Sequence, residues 1–185
     1  RHKGLVELFD PGRYNTNATI GENLIFGVAR TGRFANAGLL DDSYAYAVLQ
    51  AEALIEPMAA IGARIVETVV EIFEDLPPGH PLFERYAFGK VLDIEALKTL
   101  AATLAKQDAR TALDPVTERE IVELALGYIE PKHRLNLIDA AFRRRVVRAR
   151  ETFRTFLPAD AADDVQFYDA GSVVFGASVR DNLLF

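Results

Sequence analysis

Apolar residues recur at three- and four-residue spacing through most of the chain, the pattern of amphipathic helices. A helix is predicted from a cap at Asp41 or Asp42 to Glu56, and Pro57 is placed to begin the next. That next helix carries the stripe Met58, Ile61, Ile65, Val69, Ile72, Phe73 and Leu76, and Pro77-Pro78-Gly79-His80-Pro81 stops it. Leu82–Phe88 reads as a short helix. Asp93 is placed to cap a helix through Lys106, and Asp114 with Pro115 to open another through Tyr128. Pro131 breaks that one, and a long helix is predicted from Leu135 to Leu157, with Leu135, Ile138, Phe142, Val146, Ala149, Phe153 and Phe156 as its apolar stripe. Strand-type alternation is confined to Val6–Asp10 and Val165–Asp169. The expected fold is mainly α: a bundle of about five helices with two short terminal strands that are able to pair in parallel across the long helical crossover.

The two strand-like stretches open two copies of one segment. Val6–Phe26 (VELFDPGRYNTNATIGENLIF) aligns without a gap on Val165–Phe185 (VQFYDAGSVVFGASVRDNLLF). Val6/Val165, Asp10/Asp169, Gly12/Gly171, Ala18/Ala177, Asn23/Asn182, Leu24/Leu183 and Phe26/Phe185 are identical, and Thr19/Ser178, Ile20/Val179 and Glu22/Asp181 are among the close pairs. Each copy reads as strand, glycine-containing turn and helix start. In each, a hydroxyl at Thr19 or Ser178 is followed three residues later by a carboxylate at Glu22 or Asp181, the spacing of a capping box. The chain therefore divides into a first segment (1–27), a helical body (28–164) and a second segment (165–185).

Composition narrows the functional classes. The chain has 185 residues, 50% of them hydrophobic, so it can bury a true core. A net charge of −6 argues against a nucleic-acid surface. No apolar run approaches the roughly 18 residues of a membrane span. Without cysteine there is no disulfide framework and no thiolate metal site, which fits a reducing, cytoplasmic setting. The chain opens on Arg1 and closes on Asp-Asn-Leu-Leu-Phe, which reads as a piece excised from a longer polypeptide.

Candidate chemistry is sparse. His2, His80 and His133 have no metal-ligand spacing. Asp41-Asp42, Glu74-Asp75 and Asp163-Asp164 sit at predicted helix ends, where carboxylates cap or meet the helix dipole instead of converging on a substrate. No catalytic constellation emerges. Arg143, Arg144, Arg145, Arg148, Arg150 and Arg154 fill the arc of the last helix left by its apolar stripe. A solvated face accounts for them; the functional alternative is a basic face (Arg143, Arg144, Arg148, Arg150 and Arg154) presented to an acidic partner or to lipid headgroups.

The run from Val174 to Phe185, VFGASVRDNLLF, resembles the stretch just after the Q-loop in the ATPase domain of ATP-binding cassette (ABC) transporters. In that family the stretch typically reads Leu-Phe-x-Gly-Thr-Ile-Arg-Glu-Asn-Ile. NTNATIGENLIFG, Asn15–Gly27, is a second, poorer match, with Gly21 where the family prefers arginine. The resemblance covers about 21 residues at each end. It implies a piece of a transporter ATPase subunit at the cytoplasmic face of a membrane: a non-catalytic helical insertion between two post-Q-loop segments, regulatory or partner-binding near the transmembrane coupling region. The segment residues it marks are Thr19, Glu22, Asn23 and Phe26 in the first copy and Phe175, Gly176, Ser178, Arg180, Asp181 and Asn182 in the second. Its partners would be the rest of the ATPase domain and the transmembrane part. ATP and Mg²⁺ would belong to the parent, because this chain has no G-x-x-x-x-G-K-[ST] loop, no signature motif and no acidic Walker B run. The family's glutamine is also missing: Pro11 and Ala170 stand near its place. The competing expectation is a free-standing helical protein–protein interaction module unrelated to ATPases.

Overall fold

The computed structural model describes residues 10–73, 76–77, 80–81, 93–106 and 112–169. In chain order the elements are α1 (Ile20–Ile25), β1 (Gly27–Ala29), α2 (Gly38–Asp41), α3 (Ser43–Ala51), α4 (Ile55–Phe73), α5 (Ile94–Lys106), α6 (Pro115–Leu126), α7 (Glu130–His133), α8 (Ala140–Thr155) and β2 (Val165–Phe167), with 3₁₀ turns at Gly32–Phe34 and Ala159–Asp164. The protein is mainly helical, with one small two-stranded sheet among the described residues. No helix among the described residues is long and apolar enough to cross a membrane.

The 19-residue α4 is the spine, packed along α5 and α6. Its predicted stripe is the buried one: Met58, Ile65 and Val69 are fully enclosed, with Ile61 and Phe73 nearly so. Ile121, Val122, Ala125 and Leu126 of α6 complete that layer. On the other side α8 buries Phe142, Val146, Ala149 and Phe153 against α1 and α3.

The helix boundaries depart from the sequence reading where no glycine or proline signals them. The helix expected from Asp41/Asp42 to Glu56 ends at Ala51, because the chain reverses through Ala53 (φ 50°) and sends Leu54 into the core. Residues 134–139 form a loop with Arg134 and Asn136 in the left-handed region, although the last helix was expected to begin at Leu135. The Glu130 carboxylate accepts the backbone N–H groups of Asn136 (2.6 Å), Leu137 (3.1 Å) and Ile138 (3.3 Å), offering them partners other than helix carbonyls. Asp139 then caps α8 through Phe142 N–H (2.7 Å). Leu135 and Ile138 still pack on the core, so the apolar spacing gave their burial correctly and their conformation wrongly. Pro131 lies in the first turn of α7, a position it tolerates.

The sheet among the described residues gives the second strand a partner that the sequence reading did not offer. Val165–Phe167 pairs antiparallel with Gly27–Ala29, in the register Gly27↔Phe167, Val28↔Gln166 and Ala29↔Val165. The partner expected for it was Val6–Asp10, of which residues 6–9 lie outside the described residues, as do the predicted helix at Leu82–Phe88 and the second copy beyond Asp169. Gly27 is required here: a Cβ would lie 2.8 Å from Phe167 Cα and run into the Gln166 carbonyl oxygen.

Asp42 caps α3 through Ala45 N–H (2.9 Å) and pairs with Arg33 Nε (2.7 Å). Burial alone would raise its carboxyl; the N–H groups of Ala45 and Tyr44 and the Arg33 guanidinium outweigh that and hold it below its ordinary value. A carboxylate depressed in the folded state stabilises above its unfolded pKa of about 3.9 and loses that contribution as pH falls through the folded value. Asp42→Asn is therefore expected to lower the urea midpoint at pH 7, with the gap from the parent narrowing below about pH 4. An equal gap at both ends of that range would rule out this linkage.

Candidate functional site

The strongest concentration of polar chemistry lies where the first repeat copy meets α8. Thr19 and Glu22 form the expected capping box: Glu22 N–H donates to Thr19 Oγ1 (3.0 Å) and Thr19 N–H to Glu22 Oε2 (2.7 Å). α1 stops after six residues because Phe26 takes the left-handed conformation and returns its N–H to the Glu22 carbonyl. Asn23, identical in the two copies, is 1% exposed. Its amide donates to the Asn15 (2.8 Å) and Thr19 (2.9 Å) carbonyls, and its Oδ1 accepts Asn15 N–H (2.8 Å). The residue that the capping pattern does not require is the one that folds the turn back onto the helix.

Arg150 reaches this turn from α8. Its Nε donates to the Asn23 carbonyl (2.8 Å), Nη1 to the Pro11 (2.7 Å) and Arg13 (2.9 Å) carbonyls, and Nη2 to Asn23 Oδ1 (3.0 Å). The guanidinium also lies over the Phe26 ring, 4.0 Å from its centroid. Burial pulls Arg150 down to about 10, which leaves it charged at neutral pH. A buried cation held by carbonyl dipoles and a ring face is a structural clamp.

This revises the basic face. Arg150 is 4% exposed and faces inward, so it cannot belong to a surface offered to a partner. Arg143, Arg150 and Arg154 line one flank of α8 and each meets an aromatic ring: Tyr14 at 6.0 Å, Phe26 at 4.0 Å and Phe167 at 5.3 Å. On the opposite flank Arg145 donates to the Ala53 carbonyl (2.7 Å) and Arg148 approaches Glu52 (3.4 Å). Arg144, Arg148 and Arg154 are exposed; Arg144 has no bond to another described residue. The spacing held a signal for Arg150: it follows Val146 by four and precedes Phe153 by three, at the edge of the buried stripe.

The groups missed in the sequence are Arg33, Glu130, Tyr128 and Tyr14. Arg33 gathers Asp42, Asp160 (3.1 Å) and Asp164 (3.2 Å), and Thr31 Oγ1 donates to Asp164 (2.9 Å). Tyr128 hydroxyl accepts Leu135 N–H (3.2 Å), and burial together with Glu130 raises its phenol well above the ordinary value. His133 is enclosed, accepts Ile129 N–H at Nδ1 (2.9 Å) and stacks on Tyr128 at 5.3 Å. Among the described residues no group of three acidic or histidine side chains is placed to hold a metal. Phe175, Gly176, Ser178, Arg180, Asp181 and Asn182 lie outside the described residues. An open groove beside the start of α8 has Pro57, Ala60, Ile61, Arg64, Leu137 and Phe142 among its lining residues and a volume of about 300 Å³.

Comparison of the chain with protein-family models, with curated proteins and with solved structures finds no match.

Proposed function

We propose that residues 28–164 are a helical insertion within the ATPase domain of an ABC transporter, bounded by two copies of one segment of that domain. The observation that carries this reading is the stem. The chain enters the helical body through Gly27–Arg30 and leaves it through Asp164–Tyr168, and these stretches lie side by side. Beyond the ladder, Arg30 N–H donates to the Asp164 carbonyl (2.8 Å) and Tyr168 N–H to the Phe26 carbonyl (3.0 Å). A segment whose two ends meet can be inserted into a surface loop without displacing the host fold. The doubled segment at the two sides of this stem is the second support.

In this reading the insertion performs no chemistry of its own. ATP and Mg²⁺ bind to the parent, at its phosphate loop, on the cytoplasmic side of the membrane. The helical body contributes regulation or partner contact beside the transmembrane coupling region. A free-standing interaction module is the second reading, and the groove between α4 and the start of α8 favours it, since its apolar floor is open to a partner side chain.

The two readings part on nucleotide handling. In the full-length polypeptide, residues 30–164 are to be excised and Ala29 joined to Val165 through a two-residue Asn-Gly hairpin turn. The insertion reading expects the shortened polypeptide to keep binding and hydrolysing ATP, while the 185-residue chain alone does neither. A full-length polypeptide without ATP hydrolysis, or hydrolysis by the isolated chain, would end it.

A further inference from the structure

We infer that the groove between α4 and the start of α8 is a docking site for an acidic amphipathic segment of a partner protein, whose apolar side chains fill the groove and whose carboxylates meet the arginines at its walls. The inference gives a chemistry to the partner contact proposed above and rests on that part of the reading alone.

Both helices build the groove. Pro57, Ala60 and Ile61 of α4 form its apolar surface with Leu137 and Phe142, and its volume is about 300 Å³. Ligand pockets begin at about that size, so it has room for a pair of large side chains and not for a cofactor. One cation stands at it from each helix, Arg64 from α4 and Arg145 from α8. The Arg64 head is exposed and pairs with Glu67, one turn on, at 2.7 Å. An exposed pair of this kind contributes little and exchanges readily. Arg145 is fixed by its Nη1 bond to the Ala53 carbonyl (2.7 Å), which uses one of its five N–H groups. A guanidinium takes a carboxylate through two parallel N–H bonds, so both walls suit an acidic ligand.

The charge continues beyond the groove. α8 carries six arginines against one carboxylate, Glu151, in a chain of net charge −6. Arg144 and Arg148 are exposed, and they follow the groove residue Ala141 by three and seven positions, on the same side of the helix. An apolar hollow is thus extended by a row of cations.

A flat anionic surface such as a membrane matches this less well. The apolar floor is recessed, and carboxylates stand among the arginines: Asp139 lines the groove, Glu67 lies beside Arg64, and Glu52 lies 3.4 Å from Arg148. A bilayer presents its charge uniformly and meets those carboxylates as well as the arginines. A peptide carries its carboxylates at discrete positions and sets them on Arg64, Arg145 and Arg144 while its apolar side chains enter the groove.

The test titrates the 185-residue chain into a fluorescein-labelled synthetic peptide of Glu, Leu and Phe, with Leu and Phe one helical turn apart, and follows anisotropy. Saturable binding that weakens as salt is raised is expected. Replacing the peptide's Glu by Lys, or its Leu and Phe by Ala, is expected to weaken binding about tenfold or more. On the protein, Arg64→Glu and Ala60→Gln are expected to do the same, and Lys98→Glu on α5 to change nothing. Both α4 positions are exposed, so the variants are expected to fold, which circular dichroism checks. Amide shifts on peptide addition, expected at residues 57–64 and 137–145, locate the site in the unaltered chain even if a variant unfolds. Equal affinity for the Lys or Ala peptide, indifference to Ala60→Gln, or co-sedimentation with phosphatidylserine vesicles in place of peptide binding would overturn the docking site. Such a failure leaves the nucleotide test of the insertion untouched. A full-length polypeptide without ATP hydrolysis would end the insertion reading, while peptide binding would still uphold the groove.

Discussion

Arg150→Met is expected to destabilise the chain by about 3 kcal/mol or more, among the largest effects of any single substitution in it. Methionine keeps the apolar stem against α8 and deletes the fork. The carbonyls of Pro11, Arg13 and Asn23, and Asn23 Oδ1, then lose their donor together. Each buried acceptor left without a partner costs roughly 1–3 kcal/mol, though water reaching the half-exposed turn recovers part of that. The Phe26 ring also loses its cation, a contact worth roughly 1–2 kcal/mol when desolvated. Arg150→Lys is expected to retain the charge yet recover less than half of the loss, because one ammonium cannot span acceptors arrayed around a planar fork. Urea unfolding with an unchanged m-value measures both. A loss below about 1 kcal/mol for the methionine variant would show that the clamp is ornamental to the fold.

Gly62→Ala is the second large effect, and it acts by steric exclusion. Gly62 lies on the buried face of α4, where α6 crosses it. A Cβ at this position would run into the Ile121 carbonyl oxygen and sit 3.0 Å from Ile121 Cα. The neighbour is backbone, which cannot rotate away as a side chain can. Accepting the methyl requires the two helices to separate, with loss of close packing along Ile65, Val69, Val122 and Ala125. Overpacking typically costs 1–3 kcal/mol, and contact with backbone puts this case at about 3 or above. The outcome runs against helix propensity, on which alanine is favoured over glycine by about 1 kcal/mol. Thermal melting that showed Gly62→Ala to be neutral or stabilising would contradict the close crossing.

The capping box and the helix stripes were legible because each is a local property. Thr19 and Glu22 are three residues apart, and their mutual bonds need nothing from the rest of the chain. The stripe from Met58 to Phe73 is set by the 3.6-residue period alone. Asp93, Asp114 and Pro115 were equally readable, since a cap acts on its own first turn. The loop at 134–139 was not readable. Its apolar residues keep helical spacing, and only the approach of the Glu130 carboxylate diverts their backbone N–H groups. The break at Ala53 is of the same kind, decided by the burial of Leu54.

For the candidate site the division is sharper. The repeat, its capped helix start and its identical asparagine are properties of the sequence, visible because two copies of one chain segment can be compared directly. That Asn23 points inward, that Arg150 leaves the basic face to hold it, and that Val165–Phe167 pairs antiparallel with Gly27–Ala29 were decided by tertiary structure. The physical reason is the separation of the partners: Arg150 and Asn23 stand 127 positions apart along the chain. A one-dimensional pattern records which side of a helix is apolar. Which charge on the polar side finds buried carbonyls waiting for it is settled only when α1 is laid against α8.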